Sequence, residues 1–278
     1  MMTLAAASAY FDRTQVFDAY SGEPLFLAQV DPYDDSKRDA MVAFRRILSV
    51  APSIAMPAHR AVRIFGSVWI ISGEPMPDGL EEVHRAKYVI QMCDGALGIG
   101  SISDFLAGAP RATAFGFPSW VKDAKAEAES SEIANLFEVV FAHGTPVRER
   151  DVIWRAGRAF LALSVRQLAS DFVAANALEL EQALPQEAVL QSRQYSPALG
   201  EYELGPTVTS KALRVRWQSL FRYDAQMDER FQEGDYTLAL PAGVEVTTST
   251  RIQFDGMDLG VMGVSALDGG VVAHVRRL

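Results

Sequence analysis

Short runs of β-branched, aliphatic and aromatic residues, each four to eight long and separated by Gly, Pro or Asp-Gly, recur along the whole chain and predict a mainly β protein. The clearest set closes the chain. From Pro241 a polar lead-in runs into a strand through Arg251, Ile252 and Phe254, turns at Asp255-Gly256, returns from Leu259 to Val264, turns at Asp268-Gly269-Gly270 and ends as VVAHVRRL. Asp-Gly between alternating apolar residues is a strong hairpin signal, because both central residues of the tight turn need positive φ. Near the start, TQVFDAY and PLFLAQV flank Ser-Gly and predict a first hairpin. RDAMVAFRRILSV fits either a helical stripe or a strand, and the strand is preferred; RAKYVIQMC predicts another.

Three stretches repeat one layout. RRILSVAPSIAMPAHRAVRIFGSVWIISG, LFEVVFAHGTPVRERDVIWRAGRAFLALSV and DYTLALPAGVEVTTSTRIQFDGMDLGVMGV each run strand, proline-marked polar connection, strand, glycine turn, strand. The turn glycines Gly66, Gly157 and Gly256 lie 91 and 99 residues apart, and Leu48, Val140 and Leu238 each precede theirs by 17 or 18. Gly66 and Gly256 are followed seven residues later by Gly73 and Gly263, a second glycine that the middle stretch lacks. The fold expected is two or three tandem small β-barrel or sandwich modules with short helical connections, divided as 1–93, 94–185 and 186–278. The middle module is the weaker copy. Its Gly-, Ala- and Pro-rich entry, Asp94 to Trp120, marks a first candidate boundary, KDAKAEAESSEI predicts one or two helical turns, and Gln167 to Ala183 a strand fading into helix.

Charge and composition narrow the function. The chain has 278 residues, 49% of them hydrophobic and 22% charged, which is ordinary globular composition. No apolar run reaches the roughly 18 residues of a membrane helix, and MMTLAAASAYFDR lacks a basic region ahead of an apolar one, so a soluble, unprocessed chain is expected. Its single cysteine, Cys93, excludes an intramolecular disulfide framework. Net charge is −9, and Arg45-Arg46 and Arg276-Arg277 are only short basic pairs, so stable gripping of nucleic acid by its phosphates is not expected.

Each candidate chemical motif has a plainer reading. DPYDD, Asp31 to Asp35, lacks the alternation, central Gly and distal Glu of a calcium loop and reads as solvated loop. GALGIG reverses the dinucleotide fingerprint spacing and reads as loop rather than phosphate cradle. His59, His84, His143 and His274 are not at metal-ligand spacing and read as surface or interface side chains; Asp224, Asp228 and Glu229 read as solvated loop. Trp69, Trp154 and Trp217, one per module, and Trp120 read as packing residues, with a sugar-binding platform as the alternative. No catalytic residue, cofactor or metal is expected.

The third module, with its lead-in, its strand ending at Asp255-Gly256, its short return strand and its terminal VVAHVRRL, resembles the small β-barrel head-closure or stopper proteins of tailed bacteriophages. FRYDAQMDERFQEGDYTLALP is similar to the preceding part of such a module, a mobile polar loop between strands. The resemblance covers Ser210 to Leu278 best, Thr14 to Met92 less well and the middle poorly. It implies a non-enzymatic virion protein, a ring-forming neck, collar or head-to-tail connector subunit whose partners are its own copies and the portal, adaptor and tail proteins. Family members usually carry one such module, so three in one chain is a departure. The alternative is a tail or baseplate accessory protein that binds carbohydrate or a receptor. Contacts with neighbours are assigned to the three connections, at Met56, Pro57, His59 and Arg60, at His143, Arg148 and Arg150, and at Gly243, Glu245 and Thr247, and to Arg276 and Arg277 on the last strand.

Overall fold

The computed structural model describes residues 13–32, 45–73, 75–76, 85–93, 95–120, 136–155, 157–168, 172–180, 184–215, 235–267 and 269–278. Among them, strands build three closed six-stranded barrels. The first comprises β1 (Arg13–Asp18), β2 (Pro24–Pro32), β3 (Arg45–Val50), β4 (Ala61–Ile64), β5 (Ser67–Ile71) and β6 (Ala86–Met92). The second comprises β7 (Gly95–Gly100), β8 (Ala112–Trp120), β9 (Leu136–Phe141), β10 (Val152–Arg155), β11 (Arg158–Gln167) and β12 (Val173–Glu179). The third comprises β13 (Gln186–Ser196), β14 (Glu201–Val215), β15 (Tyr236–Pro241), β16 (Thr250–Phe254), β17 (Met257–Leu267) and β18 (Gly270–Arg277). In each barrel the spatial order is first, second, third, sixth, fifth, fourth, and the fourth strand closes on the first. Closure pairs the backbone edges that an open sheet would expose.

The middle segment departs from the sequence reading. It is a full barrel with the same strand order as its neighbours. GALGIG is not a loop but strand β7, paired antiparallel with β10 through Ile99 and Ile153. Within the candidate boundary region Asp94 to Trp120, β7, the short helix α1 (Ile102–Ala107) and β8 follow one another from Gly95. The Gln167 to Ala183 stretch, expected as a strand fading into helix, holds strand β12 as far as Glu179, and its last residues, 181–183, lie outside the described residues. KDAKAEAESSEI lies outside the described residues, as do Trp217, His84, the Tyr33 to Asp35 part of DPYDD, and Asp224, Asp228 and Glu229.

By compactness the chain divides into two units, Met1–Leu97 with Ala114–Val147 and Ser164–Asn176, and Gly98–Thr113 with Arg148–Leu163 and Ala177–Leu278. In the first unit, alternate residues of the first barrel point inward, so that Val16, Leu48, Val62, Ile64, Ile71 and Ile90 form its core with Trp69. The intervening residues Ala61, Ile70 and Val89 point outward and still are buried, against Phe115, Val140, Ala142 and Phe172. A strand buried on both faces loses the apolar-polar alternation that marks a half-exposed one. This explains the unbroken VWII run of β5; β4 is covered on its outer face at Ala61 but not at Arg63, which is exposed.

In the second unit, Leu190, Leu238, Leu240, Ile252, Phe254 and Leu259 fill the third barrel. Leu213, Val215, Ala239 and Val272, on the other faces of those strands, pack with Val152, Leu161 and helix α1. The helix is short but fully capped. Ser101 accepts the Asp104 N–H, the Asp104 carboxylate accepts the Ser101 N–H, and Gly108 ends it at φ 68°. Ser103 then ties it to the third barrel, its hydroxyl donating to the Gly269 carbonyl and accepting the Ala242 N–H at 2.7 Å. A Cβ on Gly270 would overlap Ile102 Cγ2 and lie 2.8 Å from the Leu240 carbonyl oxygen.

Candidate interaction surfaces

The three proline-marked connections share a turn as well as a pattern. The N–H of Arg60 bonds the Pro57 carbonyl, that of Asp151 the Arg148 carbonyl, and that of Thr250 the Thr247 carbonyl. Two of them use one further device. The Arg148 N–H donates to Asp151 Oδ2 at 2.7 Å, and the Thr247 N–H donates to Thr250 Oγ1 at 3.0 Å. A side chain thus satisfies a backbone donor that the turn leaves over. Both acceptors are buried, and Asp151 is in addition paired with Arg111 at 2.6 Å, a bond that raises the arginine pKa further above its ordinary value.

The first connection is held differently. His59 Nε2 lies 2.7 Å from Asp18 Oδ2, and Nδ1 accepts the Ala61 N–H at 3.1 Å. Because Nδ1 must keep its lone pair to accept, the proton sits on Nε2 and is donated to the carboxylate. Both ring nitrogens are therefore committed to fixing the loop on the first hairpin. Asp18 Oδ1 also accepts the N–H groups of Tyr20 and Ser21, each at 2.8 Å. The Ser21 bond, followed by those of Tyr20 and His59, holds the Asp18 carboxyl below the usual aspartate range against the opposing effect of burial. Tyr20 stacks edge-on over His59 at 4.7 Å and lies 4.8 Å from Phe115.

The assigned contact residues fall into two groups. His143, Arg148, Arg150, Gly243, Glu245 and Thr247 are exposed, although backbone or hydroxyl groups of Arg148, Arg150 and Thr247 serve the turns. Met56 packs on the first barrel core, and Pro57 supplies the turn carbonyl. Arg60 Nη1 donates to the Ser72 carbonyl at 3.0 Å. Arg276 forms a two-pronged ion pair with Asp235 at 2.8 and 2.7 Å, while Arg277 is exposed. The third connection leaves β15 far from the last pair but ends beside it, since Arg251, next to Thr250, pairs with Gly260, which in turn pairs with Arg276. Pro241 pairs with Gly270, at the opposite end of β18 from Arg276 and Arg277.

His274 differs from a surface histidine, being 3% exposed on β18, with Nδ1 3.4 Å from Thr237 Oγ1 and Nε2 3.4 Å from Ser265 Oγ. Trp69 is buried in the first core, and Trp154 packs on Phe105 at 5.3 Å with its ring over Gly98. Both indoles are committed to packing. Among the described residues no group of three or more His, Cys, Asp or Glu is placed to hold a metal.

The most prominent projection lies where no contact was assigned. Strands β13 and β14 form a long hairpin around Pro197 to Gly200, with Gly200 at φ 68°. Strand β16 pairs with β13 only over Ala188 to Ser192, and β15 pairs with β14 only over Leu213 to Val215. From Gln194 to Ser196 and Glu201 to Glu203 the two strands pair with each other alone among the described residues, as a ribbon reaching past the barrel wall. It exposes Tyr195 and, in its turn, Leu199 at 65%, while Leu204, opposite Arg193 at its base, is exposed as well. The signal was present in the sequence, as two β-rich runs around Ser-Pro-Ala-Leu-Gly.

Among the described residues these features define a class, three closed β-barrels in tandem along the chain with tight turns and a projecting ribbon. No protein-family model, curated protein or solved structure matches the chain.

Proposed function

We propose that this chain is a structural, non-enzymatic protein of a tailed-bacteriophage virion, a ring-forming subunit of the neck, collar or head-to-tail connector. The observation that carries the reading is the combination, among the described residues, of closed barrels with a projecting ribbon. Closed walls offer little edge for non-specific pairing, so association is confined to loops, turns and the ribbon, as a subunit of defined geometry requires. The likeness of the third module to head-closure and stopper proteins supplies the location. Made in the host cytoplasm, the chain joins the portal or adaptor on one side and tail proteins on the other. An excess of nine negative charges favours a lumen past which genome DNA moves without being held.

Negative-stain microscopy of the purified chain, with immunogold labelling of virions, tests this. Symmetric rings and label at the head-to-tail junction are expected. A monodisperse monomer that binds a defined glycan and labels the tail tip or baseplate would overturn it in favour of a receptor-binding role.

A further inference from the structure

The same pairing of barrel faces occurs in both compact units. Five residues before the turn glycines Gly66, Gly157 and Gly256 stand Ala61, Val152 and Arg251, and four residues after them stand Ile70, Leu161 and Gly260. In each barrel these two positions pair directly across the fourth and fifth strands. Seventeen residues before the same glycines stand Ser49, Val140 and Ala239, which pair with Gln29, Phe117 and Leu213 across the second and third strands. In the first unit, Ala61 and Ile70 of the first barrel are buried together with Val140 of the second. In the second unit, Val152 and Leu161 of the second barrel are buried together with Leu213 and Ala239 of the third. Twice, therefore, the fourth- and fifth-strand face of one barrel meets the second- and third-strand face of the next.

A contact between two different faces leaves one of each kind over: Arg251 and Gly260 on the third barrel, Gln29 and Ser49 on the first. Neither has the apolar pair of its inner counterparts, yet a leucine stands in water beside each. A Cβ on Gly260 would lie 2.9 Å from Leu278 Cδ2, so Leu278 lies where the side chains of Ile70 and Leu161 begin in the other barrels, and it is 67% exposed. On the first barrel Leu27, two residues before Gln29 and so on the same face of β2, is 53% exposed, whereas its counterpart Phe115 is buried in the contact of the first unit. Charges of both signs lie about each spare face, Asp31 with Arg85 and Lys87 on the first barrel and Asp258 with Arg251 and Arg276 on the third, so charge does not choose the partner. The repeated geometry does. A more polar face is what separate chains require, since it must stay in water until they assemble.

We propose that the spare β16–β17 face of the third barrel docks on the spare β2–β3 face of the first barrel of a second copy, Leu278 against Leu27, repeating between chains the contact that each unit makes within one. Such a contact is heterologous, so it passes from copy to copy and generates a ring if the rotation closes. It rests on the assembly reading above and adds, to the loops, turns and ribbon named there, one outer barrel face on each side of the joint.

Sedimentation velocity on the full chain tests it. Leu27→Glu and Leu278→Glu each put a charge into one half of the contact, at residues more than half exposed, and each alone should weaken self-association by at least about tenfold. Mixed in equal amounts, the two variants should form one-to-one dimers and nothing larger, because only the intact third barrel of the Leu27→Glu chain and the intact first barrel of the Leu278→Glu chain can join. Leu199→Glu on the ribbon is the control and should associate as the wild type does, and circular dichroism confirms that each variant folds. Variants of Leu27 and Leu278 that associate as the wild type does, or a mixture without dimers, would overturn the contact, the spare faces then being caps, while leaving the ring reading intact. A wild-type chain that stays monomeric at every accessible concentration would overturn both.

Discussion

Gln91 on β6 is fully buried, yet among the described residues neither its amide nitrogen nor its amide oxygen has a hydrogen-bond partner. It lies in register between Arg45, whose Nε is also buried without a partner among the described residues, and Ile70, which packs outward against Phe115 and Phe172. An amide taken from water into such surroundings without replacement bonds costs about 1–3 kcal/mol. Methionine has the same unbranched length and no amide, so Gln91→Met should stabilise the protein by about 1–3 kcal/mol. At roughly 2–4 °C per kcal/mol for a unit of 150–250 residues, the melting temperature should rise by several degrees. Gln91→Ala separates polarity from packing. It removes the same unpaired atoms but leaves a cavity whose cost, about 2–4 kcal/mol, should leave it no better than wild type. Calorimetry and urea unfolding of the three proteins at one ionic strength give the comparison. A Gln91→Met variant less stable than wild type by about 1 kcal/mol or more would refute the reasoning, since it would mean that water or another group satisfies the amide.

Three further outcomes follow from the same geometry. Gly270→Ala forces a methyl group into Ile102 and the Leu240 carbonyl and should cost about 1–3 kcal/mol in urea unfolding; unchanged stability would show that α1 can shift away from β18 at little cost. Asp151→Ala removes the acceptor of both the Arg148 N–H and the half-exposed Arg111, a loss of about 2 kcal/mol, part of which Asp151→Asn should recover because it keeps an oxygen for the turn; equal losses in the two variants would count against the turn bond. Asp18 has a folded pKa below its unfolded one, so its contribution is present above the ordinary aspartate pKa of about 3.9 and is lost as pH falls through the lower folded value. Stability measured from about pH 6 to pH 2 should therefore fall less steeply for Asp18→Asn than for wild type, and parallel curves would refute this.

Of the candidate contacts, the exposed ones were legible because a polar, proline-marked connection must run outside the barrel, where its backbone meets water. His143, Arg148, Arg150 and Glu245 are exposed for that reason. Arg60 and Arg276 were less legible, since their partners, the Ser72 carbonyl and Asp235, lie 12 and 41 residues away in the chain. The ribbon shows the reverse. Its turn was readable, but how far it outruns the barrel depends on where β15 and β16 stop pairing, and those strands lie well beyond it in the chain.

Local chemistry determined the hairpins. Gly66, Gly157 and Gly256 all have positive φ, as the tight turns demand, and that requirement acts between adjacent residues wherever the rest of the chain goes. Tertiary structure decided which face each residue shows. Leu48 and Leu238 lie inside their barrels, but Val140 points outward and its neighbour Val139 is the residue 18 before the turn glycine, because a shift of one position reverses the side of a strand. It also decided that GALGIG is a strand. Three glycines in six residues carry little β propensity, but closure requires a first strand beside β10, and Gly98 leaves the space that Trp154 fills. The Asp268-Gly269-Gly270 turn was plain in the sequence, yet the packing of Gly270 against α1 depends on a helix far earlier in the chain. Turn preferences are properties of adjacent residues, whereas barrel closure and docking are pairings between distant segments, which acquire their meaning only when the chain has folded.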